Sequence, residues 1–191
     1  MSKRIRISGG TFGGRMLHAP KHSTTRPTSS RVREALFNIL GENVRGLKVA
    51  DCFAGSGALG LEALSRGAIS AAFFESDRQA LNAIERNIDA LGVRDSTSVF
   101  AGPIPRTLPK EASFELLFLD PPWDRGWGPK TLALLAEGGL VTPGGKALLE
   151  ERRGNIGPKD FAGLPWSFER QRVYGDTELT FLSYDGVSGD A

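Results

Sequence analysis

Ten residues, Asp51-Cys52-Phe53-Ala54-Gly55-Ser56-Gly57-Ala58-Leu59-Gly60, restrict the possible fold more than any other stretch of the chain. Leu47-Lys48-Val49-Ala50 before them is a short apolar run suited to a buried strand, and Leu59 to Ser65 after them reads as a helix. The glycines therefore occupy a strand-to-helix turn. Glycine accepts positive φ, and without Cβ it lets backbone N–H groups approach a ligand closely, while the start of the following helix leaves donors unpaired. Such a turn points to a bound nucleotide-like cofactor.

From Leu47 onward strand-like and helix-like runs alternate. Ala71-Ala72-Phe73-Phe74-Glu75 is apolar and ends in an acid. Asp77 to Leu91 then places Leu81, Ile84, Ile88 and Leu91 on one helical face, with Gly92 as its stop. Ser98-Val99-Phe100 is a weaker strand, and Phe114 to Leu119 a stronger one that runs into Asp120-Pro121-Pro122-Trp123. Lys130 to Glu137 reads as a helix and Lys146 to Glu150 as the next strand. Repeated β-α units imply an α/β, Rossmann-like fold with a mainly parallel, doubly wound sheet. The end of the chain differs, because Phe168 to Tyr174 and Glu178 to Tyr184 are joined by Gly175-Asp176, without room for a crossover helix. A C-terminal antiparallel hairpin is expected to close the sheet.

Residues 1–28 are expected to form a small basic N-terminal β-hairpin extension. Arg4-Ile5-Arg6-Ile7-Ser8 alternates polar and apolar residues, and Gly9, Gly10, Gly13 and Gly14 turn the chain into Arg15-Met16-Leu17-His18. Pro20 to Ser30 is a polar connection, with Ser29 or Ser30 placed to cap a helix whose apolar face is Val32, Leu36, Ile39 and Leu40. Arg31 and Arg33 fall mostly off that face, available to solvent, nucleic acid or the cofactor side. Residues 29–185 then make the main domain, and residues 186–191 a flexible tail.

Charge is distributed unevenly. Residues 1–46 carry nine Lys and Arg against Glu34 and Glu42, a charge of +7 that leaves −5 for the rest of the chain. A basic block of this kind suits a polyanion, although an ordinary solvated surface has the same composition. Cys52 is the only cysteine, and His18 and His22 are the only histidines. No internal disulfide can form, and no metal site is expected. No apolar run approaches the roughly 20 residues needed to cross a bilayer, and the N-terminus lacks a signal-peptide core. A cytoplasmic protein without membrane contact is expected.

Gly55-Ser56-Gly57-Ala58-Leu59-Gly60 formally matches the dinucleotide fingerprint, and Glu75 follows at about the 20-residue spacing where an acid bonds a ribose. An NAD-dependent oxidoreductase is one reading. Two other features favour a methyl donor: Asp51, placed to face a cationic amino group, and the Asp120–Trp123 turn, for which nicotinamide chemistry has no use. An exocyclic amino group on a base is a poor nucleophile because its lone pair is conjugated. Acceptors on its two N–H bonds hold it so that the lone pair is directed at an incoming methyl. The Asp120 carboxylate offers one acceptor, and a backbone carbonyl fixed by Pro121 and Pro122 offers the other. Trp123 supplies a stacking face.

With these motifs the chain resembles the class I S-adenosylmethionine-dependent methyltransferases, and among them the bacterial 16S rRNA (guanine-N2)-methyltransferase D family. The resemblance rests on Ile7-Ser8-Gly9-Gly10 with Gly14-Arg15, Arg26-Pro27-Thr28, Arg31 to Asn38, Asp51 to Arg66, Phe74 to Asp77, Asp120 to Trp123 and Tyr174 to Thr177. It implies that residues 29–185 are a methyltransferase domain. Asp51 and the backbone of Phe53, Ala54, Gly55, Ser56 and Gly57 would hold the methionine part of S-adenosylmethionine, Glu75 the ribose hydroxyls, and Ser76 would lie near the adenine. Asp120, Pro121, Pro122 and Trp123 would form the catalytic turn, acting by direct in-line displacement without a metal. Where the family usually has Phe or Tyr this chain has Trp123. Where related enzymes often place Asp or Asn against adenine, it has Gly102-Pro103.

The implied substrate is guanine N2 in 16S rRNA, at a position of the guanine 966 type, as free rRNA or within a partly assembled small ribosomal subunit. Arg4, Arg6, Arg15, Arg26, Arg31 and Arg33 are the candidates for gripping RNA, and the protein is expected to act as a monomer. An adenine-N6 DNA methyltransferase uses a similar turn, so the turn selects an amino group and the resemblance selects guanine. A non-catalytic RNA-binding protein would account for the basic front but for neither turn.

Overall fold

The computed structural model describes residues 5–20 and 30–186. Arg4, Arg26, the possible Ser29 cap and the 187–191 part of the tail lie outside the described residues. Two short strands, β1 (Ile5–Arg6) and β2 (Met16–Leu17), pair antiparallel, Ile5 opposite Leu17 and Arg6 opposite Met16. Helix α1 (Ser30–Leu40) buries Val32, Leu36 and Phe37. A seven-stranded sheet follows. Its parallel members are β3 (Lys48–Asp51), β4 (Ser70–Glu75), β5 (Thr97–Ala101), β6 (Phe114–Leu119) and β7 (Val141–Arg152). The antiparallel members are β8 (Trp166–Tyr174) and β9 (Thr177–Tyr184), joined through Gly175-Asp176. The strand order is β5-β4-β3-β6-β7-β9-β8.

Helices α2 (Ala58–Ser65), α3 (Arg78–Leu91), α4 (Ile104–Thr107) and α5 (Trp127–Glu137) occupy the connections between the parallel strands. Helix α3 starts where its sequence indicates. The Asp77 carboxylate accepts from Gln79 N at 3.0 Å and Ala80 N at 2.8 Å, and Gly92 ends the helix at φ 69°. Its buried residues Ala80, Ala83, Ile84, Ile88 and Leu91 recur at three- and four-residue steps, so one stripe faces the sheet.

Side-chain alternation along the strands produces a core on each sheet face. One holds Val49, Phe73, Leu116 and Phe118 under α1, α2 and α3; the other holds Ala50, Phe74, Leu117 and Leu119 with Leu132 and Leu135 of α5. The N-terminal hairpin shares the first core, through buried Ile5, Ile7 and Leu17. Its loop is pinned to α2: Thr11 N donates to Ser65 O at 2.7 Å, and Phe12 N to Ser65 Oγ at 2.8 Å.

Two boundaries differ from expectation by three residues or more. Helix α5 begins at Trp127, not Lys130, because Gly126 takes the left-handed conformation at φ 63° and Pro129 falls in the first turn, where no N–H bond is lost. Strand β7 begins at Val141, and its pairing with β6 jumps from Phe114 opposite Val141 to Leu116 opposite Lys146, which absorbs Pro143-Gly144-Gly145 as an irregularity.

Candidate methyl-transfer site

The glycine turn is built by backbone geometry. Gly55 and Gly57 have φ of 54° and 77°, and Gly57 caps the start of α2. Gly60 is required for a different reason, since a Cβ there would lie 2.4 Å from Phe73 Cε1, so the helix rests directly on β4. The turn is tied to the sheet by Cys52 N to Phe118 O at 2.9 Å and Ala54 N to Phe74 O at 3.1 Å. Cys52 is buried, and burial, with the Asp51 charge beside it, pushes its thiol up, which makes it a packing residue.

Asp51 stands opposite both Phe73 and Phe118 in register. Two residues further along the pleat, Glu75 and Asp120 fall on the same side of the sheet as Asp51, so three acids meet at the C-terminal edge of adjacent strands. Asp51 is 1% exposed, and its Oδ2 accepts from Gly60 N at 3.0 Å inside the first turn of α2. Its Oδ1 is buried without a hydrogen-bond partner among the described residues. Burial, then the neighbouring charges of Asp120 and Glu75, push the Asp51 carboxyl up to about 7 against the pull of the Gly60 N–H. Glu75 reaches back across the turn: its Oε2 accepts from Gly55 N at 2.7 Å, and its Oε1 from Ser76 N at 2.7 Å and Asp77 N at 2.8 Å. Gly102, after β5, donates to Glu75 O at 2.8 Å.

The sign of the Asp51 effect on stability follows from its raised pKa. The unfolded carboxyl ionises near its ordinary 3.8, the folded one near 7, so between these values the native state binds more protons and stability falls as pH rises. Above about pH 7 the penalty is constant. Asp51→Asn keeps an acceptor for Gly60 N and removes that penalty, so its urea midpoint at pH 8 should exceed the wild-type midpoint. At pH 4 the two should nearly coincide, and equal gaps at both pH values would show that the Asp51 charge is not the cause.

Asp120 follows β6 directly and is half-buried, Pro121 is buried, Pro122 exposed and Trp123 half-buried. Asp124 is the only non-glycine residue with positive φ among the described residues, at 62°. It turns the chain back toward β7, where its N–H donates to Glu151 Oε1 at 3.4 Å and its carboxylate meets the Arg152 guanidinium at 3.3 Å.

A family model described as conserved hypothetical protein 95 matches residues 5–183. Ribosomal RNA small subunit methyltransferase D of Escherichia coli strain K12 is 37% identical over 179 residues, covering 91% of this chain and 87% of that protein. The chain belongs to the methyltransferase D family. The Haemophilus influenzae protein of the same name is 33% identical over 156 residues, covering 78% of this chain and 79% of its own length. The solved structure of Escherichia coli yhhF has a TM-score of 0.83 at 33% identity and covers 96% of this chain and 99% of that one.

In this methyltransferase D family chain one expected site residue stands elsewhere. Arg33 is not at the surface: it is 3% exposed, with Nε 3.4 Å from Glu62 Oε2 and a terminal nitrogen donating to Arg6 O at 2.6 Å. Helical periodicity put it off the apolar face, but the hairpin covers that side of α1, and the buried Glu62 makes the burial of a cation tolerable. Arg6, Arg15 and Arg31 are exposed, Arg15 donating to Ala90 O at 2.5 Å. The sequence reading did not single out Asn87, buried on α3. It exchanges bonds with His18, accepting from His18 N at 2.7 Å and donating to His18 O at 3.0 Å, and it donates to Ser56 O at 2.9 Å. The end of the N-terminal hairpin is thereby joined to the glycine turn. A polar residue on the sheet-facing stripe of an otherwise apolar helix was the available signal. Among the described residues no helix is long and apolar enough to cross a membrane.

Proposed function

We propose that this chain transfers a methyl group from S-adenosylmethionine to the exocyclic N2 of a guanine in 16S rRNA. The observation that carries this reading is the meeting of Asp51, Glu75 and the Asp120–Trp123 turn at one sheet edge in a member of the methyltransferase D family. Two features fit the methyl donor. Among the described residues the buried Oδ1 of Asp51 has no hydrogen-bond partner, which suits an ammonium group, and a Cβ at Gly55 would meet no atom within 4 Å, leaving room above the turn. Asp51 and the backbone of residues 53–57 would hold the amino-acid end, Glu75 the ribose, and Ser76 with the Gly102 turn the adenine. When bound, the donor supplies a methyl carried on a sulfonium cation.

The chain's own residues supply position and proton traffic. The Asp120 carboxylate accepts one N–H of the guanine amine, the proline-fixed backbone accepts the other, and Trp123 stacks on the ring. The proton released as the amine becomes secondary passes to Asp120 or to water. Since Asp51 must be ionised to hold an ammonium group, affinity for S-adenosylhomocysteine should rise between pH 6 and 8, in line with a carboxyl of about 7.

The direct test exposes 16S rRNA and small-subunit assembly intermediates from a strain lacking the enzyme to the protein and labelled S-adenosylmethionine, then maps the label. N2-methylguanine in 16S rRNA is the expected product; unlabelled RNA, with label on adenine N6 in a parallel reaction supplied with DNA, would replace this reading with the other amino-methyltransferase. Thermal-shift titration with S-adenosylhomocysteine and with NAD separates the cofactors, because only a ligand of the native state raises its midpoint.

Exposed Arg6, Arg15 and Arg31, together with Arg4 and Arg26, are the proposed grip on RNA phosphates. Replacing Arg6, Arg15 and Arg31 by Gln should lower the slope of log affinity against log salt by roughly 2–3. An unchanged slope would return them to ordinary surface charge.

A further inference from the structure

The antiparallel end of the sheet brings a second cationic group to the catalytic turn. Strand β7 runs parallel to β6, so its last residues emerge at the edge that carries Asp120, and β9 starts there with Thr177 opposite Arg152. The β8–β9 turn consequently lies against the chain leaving β7, with Arg153 N donating to Asp176 O at 2.8 Å. Trp123, Arg152, Arg153 and Asp176 line a cleft of about 390 Å³. That volume lies within the roughly 300–1,000 Å³ range of small-ligand sites.

We infer that this cleft seats the target guanosine itself, its base on the open face of Trp123 within reach of Asp176 and its phosphate on Arg152 and Arg153. The inference rests on the RNA-methylation reading above and assigns residues outside the N-terminal basic block to substrate binding. The chemistry of the lining is mixed in the way a nucleotide requires. Two guanidinium groups suit a phosphate, the indole face suits a base, and the Asp176 carboxylate can accept from N–H groups on a base edge. A bare anion has no use for Asp176 or Trp123. An apolar ligand has no use for the arginines.

The wall is also built to stay in place. Glu151, 2% exposed, accepts from Arg152 N at 2.8 Å and Asp124 N at 3.4 Å, and Gly154 N donates to Glu178 Oε2 at 2.8 Å. The Arg152 guanidinium lies 5.8 Å from the Trp123 ring centroid while it pairs with Asp124. It therefore holds the indole from one side and offers its remaining donors to an anion at the same rim. Arg153 is exposed next to it, so a substitution there leaves the catalytic turn's own contacts intact.

The test uses the full chain loaded with S-adenosylhomocysteine, and an rRNA fragment that the wild-type protein methylates. Arg153→Gln should weaken binding of the fragment by roughly five- to tenfold and lower the salt slope by about 0.7–0.9, with the loss of methylation falling mainly on KM. Arg153→Lys should recover most of the slope, because a phosphate contact needs charge more than geometry. If the wild-type protein methylates RNA and Arg153→Gln binds the fragment with unchanged affinity and slope, the inference is overturned while the proposed function stands. Failure of Arg153→Lys to restore the slope would overturn the phosphate contact. Absence of any methyl transfer to RNA by the wild-type protein would remove the proposed function itself, and the inference with it.

Discussion

Asp120→Ala should lower methyl transfer to RNA by about 100- to 1,000-fold while leaving affinity for S-adenosylhomocysteine near the wild-type value. The range is that of removing one fixed hydrogen-bonding group that acts on the charge developing in a transition state. The split between turnover and cofactor affinity follows from position: Asp120 follows β6, where the proposed reading puts the methyl acceptor, whereas the glycine turn follows β3 and Glu75 ends β4. Cofactor binding has a second reason to survive. The Asp120 charge is one of the causes that raise Asp51, so its removal makes Asp51 easier to ionise and should strengthen, not weaken, the grip on an ammonium group near pH 6.5. Asp120→Asn keeps an oxygen acceptor at the same place and should retain far more activity than Ala. Steady-state kinetics with RNA and calorimetric titration with S-adenosylhomocysteine separate the two quantities. A wild-type rate in Asp120→Ala would take the residue out of the mechanism.

The parts of this site that the sequence discloses are local ones. Asp51, Glu75 and Asp120 each end an apolar run, and a sheet of parallel strands collects such ends at one edge, so their meeting follows once the alternation of strands and helices is read. Asp77 and Gly92 frame α3 by their own side-chain and backbone preferences, without help from the rest of the fold. Helix α5 was less legible because Trp127-Gly128-Pro129 has poor helix propensity and its start depends on the left-handed turn at Gly126. The nucleotide cleft was not legible at all. Arg152, Arg153 and Asp176 meet Trp123 only through pairing of β7 with β9 and the chain reversal at Asp124, contacts between segments 20 residues or more apart. Arg33 was misjudged for the same reason, since its burial depends on Glu62 and on the backbone of Arg6.

That buried pair carries the largest expected effect on stability. Glu62 is fully buried on α2 and accepts from Ser8 N at 2.9 Å, Gly9 N at 3.1 Å, Arg66 Nε at 3.1 Å, Arg33 Nε at 3.4 Å and the Ser8 hydroxyl. Glu62→Ala leaves Arg33 charged, 3% exposed and without its carboxylate, and it strips two backbone N–H groups of the hairpin of their acceptor. Breaking a buried ion pair from one side costs about 3–5 kcal/mol, which the urea midpoint would register as a large fall. Arg33→Met combined with Glu62→Leu removes both charges and should recover a substantial part of the loss, though not all, because the Ser8 and Gly9 N–H groups remain unserved. The hairpin keeps its Ser65 bonds in either variant, so the structure should loosen at this corner before it unfolds. Asn87 ties His18 to Ser56, so loosening should reach the glycine turn as a modest loss of S-adenosylhomocysteine affinity. A Glu62→Ala unfolding free energy within about 1 kcal/mol of wild type would mean that Arg33 finds water or another partner, and that the pair is not what seats the hairpin.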